Sequence, residues 1–309
     1  MKQLSREAFD LARQFLKTRA RAIDRALFEH RFAQTPTENV LVELVRYQNS
    51  DGGFGHGLEP DLRTPTSSAL ATAIGLQILK ELDCPADHPM VKQAVEFLMT
   101  TCSTATHVWR IIPTDANEYP HAPWWHDDGE SLARTFDSFR INPRAELVGL
   151  LHHYASLVPA RWLDEVTEST VACIETAEKL GAGGGDDIVC AISLAETVEL
   201  PGRAKTRLAA RIRAVAPVVV SRDPQRWSSY CTPPLKLAPS PHSLVADLIL
   251  EELQSHLDYQ IDHQAPQGTW EPTWSWGRLY PEVWEQARLE WRGKLTLDNL
   301  ATLRAFGRV

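Results

Sequence analysis

The sequence predicts an all-helical protein in which helical hairpins close into a ring. Apolar residues recur at helical spacing from the start of the chain, as at Leu4, Ala8 and Leu11. Alternating strand patterns are absent, since the best candidate, VAPVVVS at 215–221, serves equally well as a helix end before Pro224. Nearly all-apolar helical segments also alternate with more polar, amphipathic ones, which is typical of inner and outer helix layers.

Each apolar segment begins with a residue that favours a helix start, such as Ser, Thr, Asp, Asn or Pro. Its interior is too apolar for a surface helix, so we expect it to be buried on most sides. The apolar helices are expected at 64–79, 142–155, 183–198, 240–253 and 295–307. The polar helices are expected near 37–48, 89–101, 160–179, 204–219 and 254–264. This alternation predicts one ring of about five to six hairpins rather than an open solenoid.

No low-complexity linker divides the 309 residues, so the prediction is a single domain over 1–309. Long loops near 101–141 and 265–281 are expected to cover one face of it. The net charge of −8 argues against a nucleic-acid partner, which needs a basic surface. No stretch approaches about 18 uncharged apolar residues, so no transmembrane helix is expected. A charged N-terminus and five scattered cysteines favour a reduced, cytoplasmic protein, whereas the oligomeric state stays open.

Two loops share one spacing: YQNSDGGFG at 47–55 and HQAPQGTW at 263–270 both read Gln, three residues, Gly, one residue, aromatic. The spacing resembles the squalene cyclase-type Gln–Trp repeat (QW motif) of the terpenoid cyclase and protein prenyltransferase superfamily. The stretch GGFGHGLEPDLRTPTSSALATA after Gln48 also looks like a prenyltransferase β-subunit repeat. The resemblance implies an α/α toroid with a central cavity. The same architecture hosts carbohydrate-active enzymes, lanthionine synthetases and complement thioester domains, and the GCGEQ motif of the last is absent here. The paired motif residues are Gln48, Gly52 and Phe54, and Gln264, Gly268 and Trp270.

The resemblance to class II terpene cyclases implies a catalytic role for Asp186 and Asp187. These cyclases carry a DxDD motif whose middle Asp protonates an alkene or epoxide, and Asp186 would be that acid beside Asp187. Gly184 stands where the motif has its first Asp. A raised pKa is needed for this role, and an apolar cavity with a second carboxylate would supply it. The alternative is that Asp186 caps the helix and Asp187 complements the helix dipole.

A zinc site is a further alternative at the same helix start. Prenyltransferase β-subunits ligate zinc through an Asp and a Cys at one inner-helix start and a His at the next, which implies Asp187, Cys190 and His242. The spacing here is Asp-x-x-Cys, whereas the family has Asp-x-Cys. Otherwise Cys190 is a buried core residue and His242 a cap. We expect no cofactor for the cyclase reaction, with zinc or magnesium as the alternative.

Two further clusters contain acids, histidines and tryptophans in predicted loops. GHGLEPDLR lies between a glycine-rich turn and an inner helix, so its polar residues are expected at the cavity mouth, where Arg63 could also favour an anion. YPHAPWWHDDGE at 119–130 is predicted to form a lid or a wall. The alternatives are loop-fixing ion pairs for the first cluster and simple packing for the second. The candidate substrate-binding residues are His56, Glu59, Asp61, Arg63, His121, Trp124, Trp125, His126, Asp127 and Asp128.

The C-terminal region is rich in tryptophan. Trp274 and Trp276 are predicted to line the cavity, where aromatic faces stabilise carbocations or stack on sugars. Trp270 belongs to the repeat motif, and Trp284 and Trp291 lie seven residues apart, as expected for one helix face.

The leading functional hypothesis is therefore a terpenoid cyclase-like enzyme. It would bind a small apolar isoprenoid in a central cavity and start carbocation cyclisation with Asp186. A carbohydrate-active toroid is the first alternative, with paired carboxylates drawn from Glu59, Asp61, Asp127 and Asp128 and with Trp platforms. A zinc-dependent prenyltransferase-like protein and a non-catalytic binding scaffold are the others.

Overall fold

A computed structural model of the protein describes residues 1–135, 140–182 and 184–309. In this part of the chain the regular structure is helical, with isolated β-bridges and no extended strand, so the all-α prediction is confirmed. The helices group into two compact units. Unit 1 combines residues 1–44 with 216–309, and unit 2 is 45–215. The closed toroid and the single domain over 1–309 stay predictions.

Thirteen α-helices are present in the described residues. In chain order they are α1 (Arg6–Thr18), α2 (Ala22–Ala33), α3 (Thr37–Leu44), α4 (Ala69–Glu81), α5 (Pro89–Thr101), α6 (Ser131–Thr135), α7 (Arg144–His153), α8 (Ala160–Thr176), α9 (Asp186–Glu196), α10 (Gly202–Val219), α11 (Pro234–Leu237), α12 (Leu250–Asp262) and α13 (Pro281–Ala305). None of these helices is both long and apolar enough to cross a membrane.

The apolar helices predicted at 64–79, 142–155 and 183–198 correspond to α4, α7 and α9 of unit 2. In α4, Ser68 accepts a hydrogen bond from Ala71 N and so fixes the start later than predicted. Helix α7 packs against α4, α8 and α9, and most of its side chains are buried. The apolar character of these segments therefore predicted the core of unit 2. Positions 136–139 of the predicted loop 101–141, and Gly183, lie outside the described residues.

The apolar helix predicted at 240–253 is wrong. The chain turns at Ser240, where Ser243 N donates to the Ser240 carbonyl and His242 N to its hydroxyl. Such local side-chain bonds compete with a helix, and α12 begins only at Leu250. The segment 295–307 is helical, but it belongs to the longer α13 that begins at Pro281. The predicted loop 265–281 thus ends where that helix starts, and 215–219 closes α10 rather than forming a strand.

The two predicted repeat motifs make matching contacts, one set within each unit. The side-chain amide of Gln48 donates to the Gly52 carbonyl at 2.9 Å and to Met90 O in α5 at 3.0 Å. That of Gln264 donates to Gly268 O at 3.0 Å and to Ala8 O in α1 at 3.1 Å. Each glutamine therefore holds its own turn closed and ties that turn to the first part of a neighbouring helix.

The aromatic residue of each motif is held in the same way. Phe54 N donates to the Thr72 hydroxyl in α4 at 3.0 Å, and Trp270 N donates to the Thr296 hydroxyl in α13 at 3.3 Å. Both rings are buried. Hydrogen bonds of this kind satisfy loop amides that burial would otherwise leave unpaired.

Helices α1 and α5, which receive the two glutamines, are also related in sequence. AFDLARQFLKT at 8–18 and MVKQAVEFLMT at 90–100 agree at four positions, and three of these positions are buried in both helices. The identical pairs are Ala12 and Ala94, Phe15 and Phe97, Leu16 and Leu98, and Thr18 and Thr100. Helix α1 is thus the equivalent of α5 in unit 1, although it precedes the motif at Gln264 by about 250 residues.

A buried histidine lies in the core of unit 1. His256 in α12 is 2% exposed, and its Nδ1 accepts a hydrogen bond from Leu235 N at 3.3 Å. The ring lies 4.5 Å from the Trp227 ring. Burial lowers the pKa of His256 to about 3, because charging the ring would take a cation out of water.

We expect acid to destabilise the protein through this residue. An unfolded histidine takes up a proton near pH 6.5, whereas folded His256 does so near pH 3. The contribution of neutral His256 to the free energy of unfolding is therefore complete above pH 6.5 and is lost as the pH falls toward 3. Between pH 7 and 5 the free energy of unfolding should fall by about 2 kcal/mol. Urea unfolding at both values would measure the loss.

The substitution His256→Gln keeps an acceptor for Leu235 N and should remove the part of the pH dependence that His256 contributes, about 2 kcal/mol between pH 7 and 5. The control is His263→Gln, at an exposed position just after the same helix. Equal pH dependence in the His256→Gln variant and the wild type would contradict the assignment.

Candidate functional site

Two clusters that the sequence analysis treated separately lie against each other in unit 2. Leu62 and His121 form a β-bridge, and Ala122 N donates to Asp61 O at 2.8 Å. Arg63 N also donates to Pro120 O at 3.1 Å. We call the contact between residues 56–63 and 119–126 the loop junction. It brings together eight of the ten candidate substrate-binding residues of the two clusters.

A network of short polar side chains fixes the first loop. Asp51 accepts from Gly53 N at 3.0 Å and from the Ser67 hydroxyl at 2.7 Å. Asn49 donates to Pro65 O at 2.9 Å, and its oxygen lies 2.8 Å from His56 Nε2. His56 is thereby held at an exposed position with a left-handed backbone, φ 54°. Asn49, Asp51 and Ser67 were not predicted as site residues, although Asn and Asp beside glycines are typical of such turns.

The carboxyl groups of the junction are buried. Glu59 is 7% exposed and Asp61 is 2% exposed. Charged residues are rarely this buried, because removing a carboxylate from water is costly. Glu59, Asp61 and Arg63 each interact with neighbouring groups, which is compatible with the alternative of loop-fixing ion pairs. Arg63 is partly exposed, and its guanidinium lies over Gly57, where a Cβ would come within 3.2 Å of Nη1.

A histidine pair connects the interior of the junction to its surface. Buried His121 directs Nδ1 to Tyr119 O at 2.6 Å, so in the neutral ring this nitrogen carries the proton. Its Nε2 lies 3.3 Å from Nδ1 of exposed His126, and the two rings stack with centroids 5.5 Å apart. A proton can move along such a pair between a buried group and solvent.

The two tryptophans differ in exposure. Trp125 is buried, whereas Trp124 is partly exposed on the same short turn, Pro123–Trp125. Trp125 therefore serves as packing under the junction, and Trp124 is the ring that a ligand can reach. An exposed indole face beside polar groups is suited to stacking on a sugar or another flat ligand.

The remaining two acids of the second cluster stabilise the loop itself. Asp127 forms an ion pair with Arg110, and its backbone N donates to Asn117 Oδ1 at 2.9 Å. Asp128 caps α6 by accepting from Ser131 N at 2.6 Å. The Ser131 hydroxyl and nearby backbone amides hold the pKa of Asp128 well below its usual range. These partners leave Asp127 and Asp128 poorly suited to acid–base chemistry.

Asp186 and Asp187 are the first two residues of α9 and are partly exposed. The N-cap is Gly185, at φ 83°, so Asp186 does not hold the capping position considered above. Cys190 is buried, and its Sγ lies 3.6 Å from Asn142 Oδ1. His242 belongs to unit 1 and is exposed in the turn after Ser240. Among the described residues, no group of three or more His, Cys, Asp or Glu is arranged to hold a metal ion.

The tryptophans near the C-terminus pack mainly on one another in unit 1. Trp276 is 1% exposed and lies 5.7 Å from Trp284, and Trp274 meets Trp291 edge-on at 5.0 Å. Trp284 and Trp291 are both in α13, as their spacing predicted. Trp276 therefore belongs to the core of this unit, whereas Trp274 is partly exposed.

The comparisons with known proteins add no named relative. No family model, no curated protein and no solved structure matches the chain.

Proposed function

We propose that the loop junction is the active site of a carbohydrate-active enzyme that uses acid–base catalysis. The observation that carries the proposal is the meeting of two buried acids, Glu59 and Asp61, with a histidine pair and a partly exposed tryptophan. Two carboxyl groups, one protonated and one ionised, are what hydrolysis of a glycosidic bond requires, and a tryptophan face can stack on the sugar.

The proposed roles follow from burial and exposure. One acid of the pair Glu59 and Asp61 donates a proton to the leaving glycosidic oxygen, and the other, ionised, removes a proton from the attacking water. After hydrolysis the base holds the proton from water and the acid has lost its own. His121 and His126 exchange these protons with solvent, which restores both groups, and Trp124 stacks on a sugar ring. The bond from carbon to the leaving oxygen breaks as the bond from carbon to the water oxygen forms.

We also propose that the chain has the α/α-toroid architecture of the terpenoid cyclase and prenyltransferase superfamily. Support comes from the matching hydrogen bonds of Gln48 and Gln264 and the related helices that receive them. Carbohydrate-active enzymes occur on this architecture too, so the fold proposal is compatible with the proposed activity.

Acid-initiated cyclisation of an isoprenoid at Asp186 is the second candidate. Its support is the position of Asp186 in the first turn of the apolar helix α9. We rank it lower because alkene protonation needs a carboxylic acid shielded from water, and Asp186 is partly exposed.

The test begins with a panel of oligosaccharides and isoprenoid diphosphates, scored by thermal shift and by product formation. A ligand at about a hundred times its Kd should add roughly 2.7 kcal/mol to the free energy of unfolding. A shift with isoprenoids alone would favour Asp186, and no shift with either class would favour a non-catalytic scaffold.

Given a hydrolysed oligosaccharide, Glu59→Gln or Asp61→Asn should lower kcat at least about a hundredfold, because general acid–base catalysis typically contributes this much. The matched control is Glu118→Gln, an exposed acid in the second loop. Its kcat should be unchanged. Wild-type kcat in both folded junction variants would rule out the proposed site.

A further inference from the structure

Unit 1 contains a second group of aromatic and charged side chains, on the loop that follows its motif. This loop covers residues 271–280, directly after Trp270, and contacts the first half of α13. In unit 2 the loop junction begins two residues after Phe54, the aromatic residue of the first motif. Both units therefore place aromatic and charged side chains directly after the same motif.

Three side chains on one face of α13 contact this loop. Arg288, Trp291 and Arg292 are three and four positions apart, so they are neighbours on the helix surface. Glu271 Oε2 lies 3.2 Å from Arg288 Nη2, and Glu271 Oε1 lies 2.9 Å from Arg292 Nε. The Trp274 ring meets the Trp291 ring edge-on at 5.0 Å. We call these five residues the tryptophan platform.

The tryptophan platform lies at the surface of unit 1. Trp274 and Trp291 are both partly exposed, whereas Trp276 of the same loop is 1% exposed and belongs to the core. The side chains of Arg288 and Glu271 are 42% and 33% exposed. Both indole rings and the charged groups beside them are therefore within reach of a ligand.

The charges of the platform balance one another. Arg288 Nη1 also lies 3.7 Å from Glu285, so two guanidinium groups face two carboxylates. A guanidinium has five N–H donors and a carboxylate about four acceptor positions, so these ion pairs leave donors and acceptors that can bond hydroxyl groups. A neutral ligand rich in hydroxyls suits this surface better than an anion does.

We propose that the tryptophan platform binds a neutral oligosaccharide. The apolar C–H face of one sugar ring stacks on Trp274, and Arg288 and Glu271 bond the hydroxyls at the edge of the ring. Aromatic faces with a few polar groups placed beside them are typical of such ligand sites. The choice of a sugar rests on the proposed function, since the equivalent place in unit 2 holds the proposed sugar-cleaving site.

Cellohexaose and maltohexaose, titrated by isothermal calorimetry into the full-length Trp124→Ala variant, test the proposal. This background removes the ring that the loop junction offers to a sugar, so the remaining binding reports on the platform. We expect saturable binding of at least one of the two sugars. Adding Trp274→Ala should weaken that binding at least about tenfold. The control adds Tyr230→Ala instead, which removes an exposed aromatic ring of unit 1 outside the platform and should leave the affinity unchanged.

Arg288→Gln provides a second test at an exposed position, for the case that circular dichroism shows Trp274→Ala to be misfolded. It should also weaken binding, because the hydroxyls lose guanidinium donors. Three results would overturn the proposal: no binding of either sugar, equal affinity after Trp274→Ala and Tyr230→Ala, or equally tight binding of anionic hexagalacturonate.

Single variants separate this proposal from the proposed function. If the platform binds sugar and the loop junction does not, Trp274→Ala alone should abolish binding and Trp124→Ala should leave it unchanged. The reverse pattern would leave the loop junction as the sugar site and overturn the platform.

Discussion

Replacing Gly268 with alanine is expected to reduce the free energy of unfolding by about 2–5 kcal/mol. Gly268 has a left-handed backbone, φ +84°, and an added Cβ would lie 2.4 Å from Ala12 N and 2.5 Å from Leu11 C. Both are backbone atoms of α1, so the clash can be relieved only by moving that helix away. Urea unfolding followed by circular dichroism measures the loss.

Gly277→Ala separates the cost of the left-handed backbone from the cost of the clash with α1. Gly277 has φ +63°, but no atom lies within 4 Å of its added Cβ. It should therefore show only the backbone cost of about 1–2 kcal/mol. In unit 2 the same comparison is available between Gly52, whose Cβ would lie 2.3 Å from Gln93 O, and Gly129, which has open space. Similar losses for the clashing and the open glycines would show that helix contact does not explain the motif.

The second large effect is expected at Phe54, the aromatic residue of the first motif. Phe54→Ala should cost about 3–5 kcal/mol, because the ring is fully buried and its removal leaves a cavity beside α4. Gly75 in α4 provides the space for the ring, since its added Cβ would lie 2.7 Å from two Phe54 ring carbons. Thermal and urea unfolding of the variant would measure the loss.

Gly75→Ala should also destabilise, by about 1–3 kcal/mol of overpacking, partly offset by the better helix propensity of alanine. The double variant Phe54→Leu with Gly75→Ala should lose less than the two single losses added together, because the smaller side chain makes room for the methyl group. Strict additivity would show that the ring does not depend on the glycine.

The sequence predicted the helices of unit 2 well for a physical reason. Helices α4, α7 and α9 are buried on most sides, so their apolar composition identified them without any contact being known. The segment 240–253 is just as apolar, but Ser240 and Ser243 form local hydrogen bonds that composition does not reveal. Composition predicts burial, and burial does not require a helix.

The residues of the candidate site were predicted as two separate clusters, and the sequence did not show that the clusters are in contact. Sequence spacing could not show that Leu62 pairs with His121, because this contact joins positions 59 residues apart by a single β-bridge. Nor could it separate Glu59, which is buried, from Asp128, which caps α6.

Unit 1 is built from two segments that lie far apart in the chain, so it cannot form until both have been synthesised. Residues 1–44 are synthesised before residues 216–309, yet Leu4 N pairs with Arg308 O and Ala8 O accepts from Gln264, so both contacts need the later segment of unit 1. Protein synthesis adds about 5–20 residues per second, so on the order of 10–50 s pass between the synthesis of α1 and that of the residues it contacts. During that time unit 2 can fold by itself, while α1 exposes an apolar face to the cell's chaperones. A nascent chain stalled before α12 should therefore be protected from proteolysis in unit 2 and cleaved within its first 44 residues.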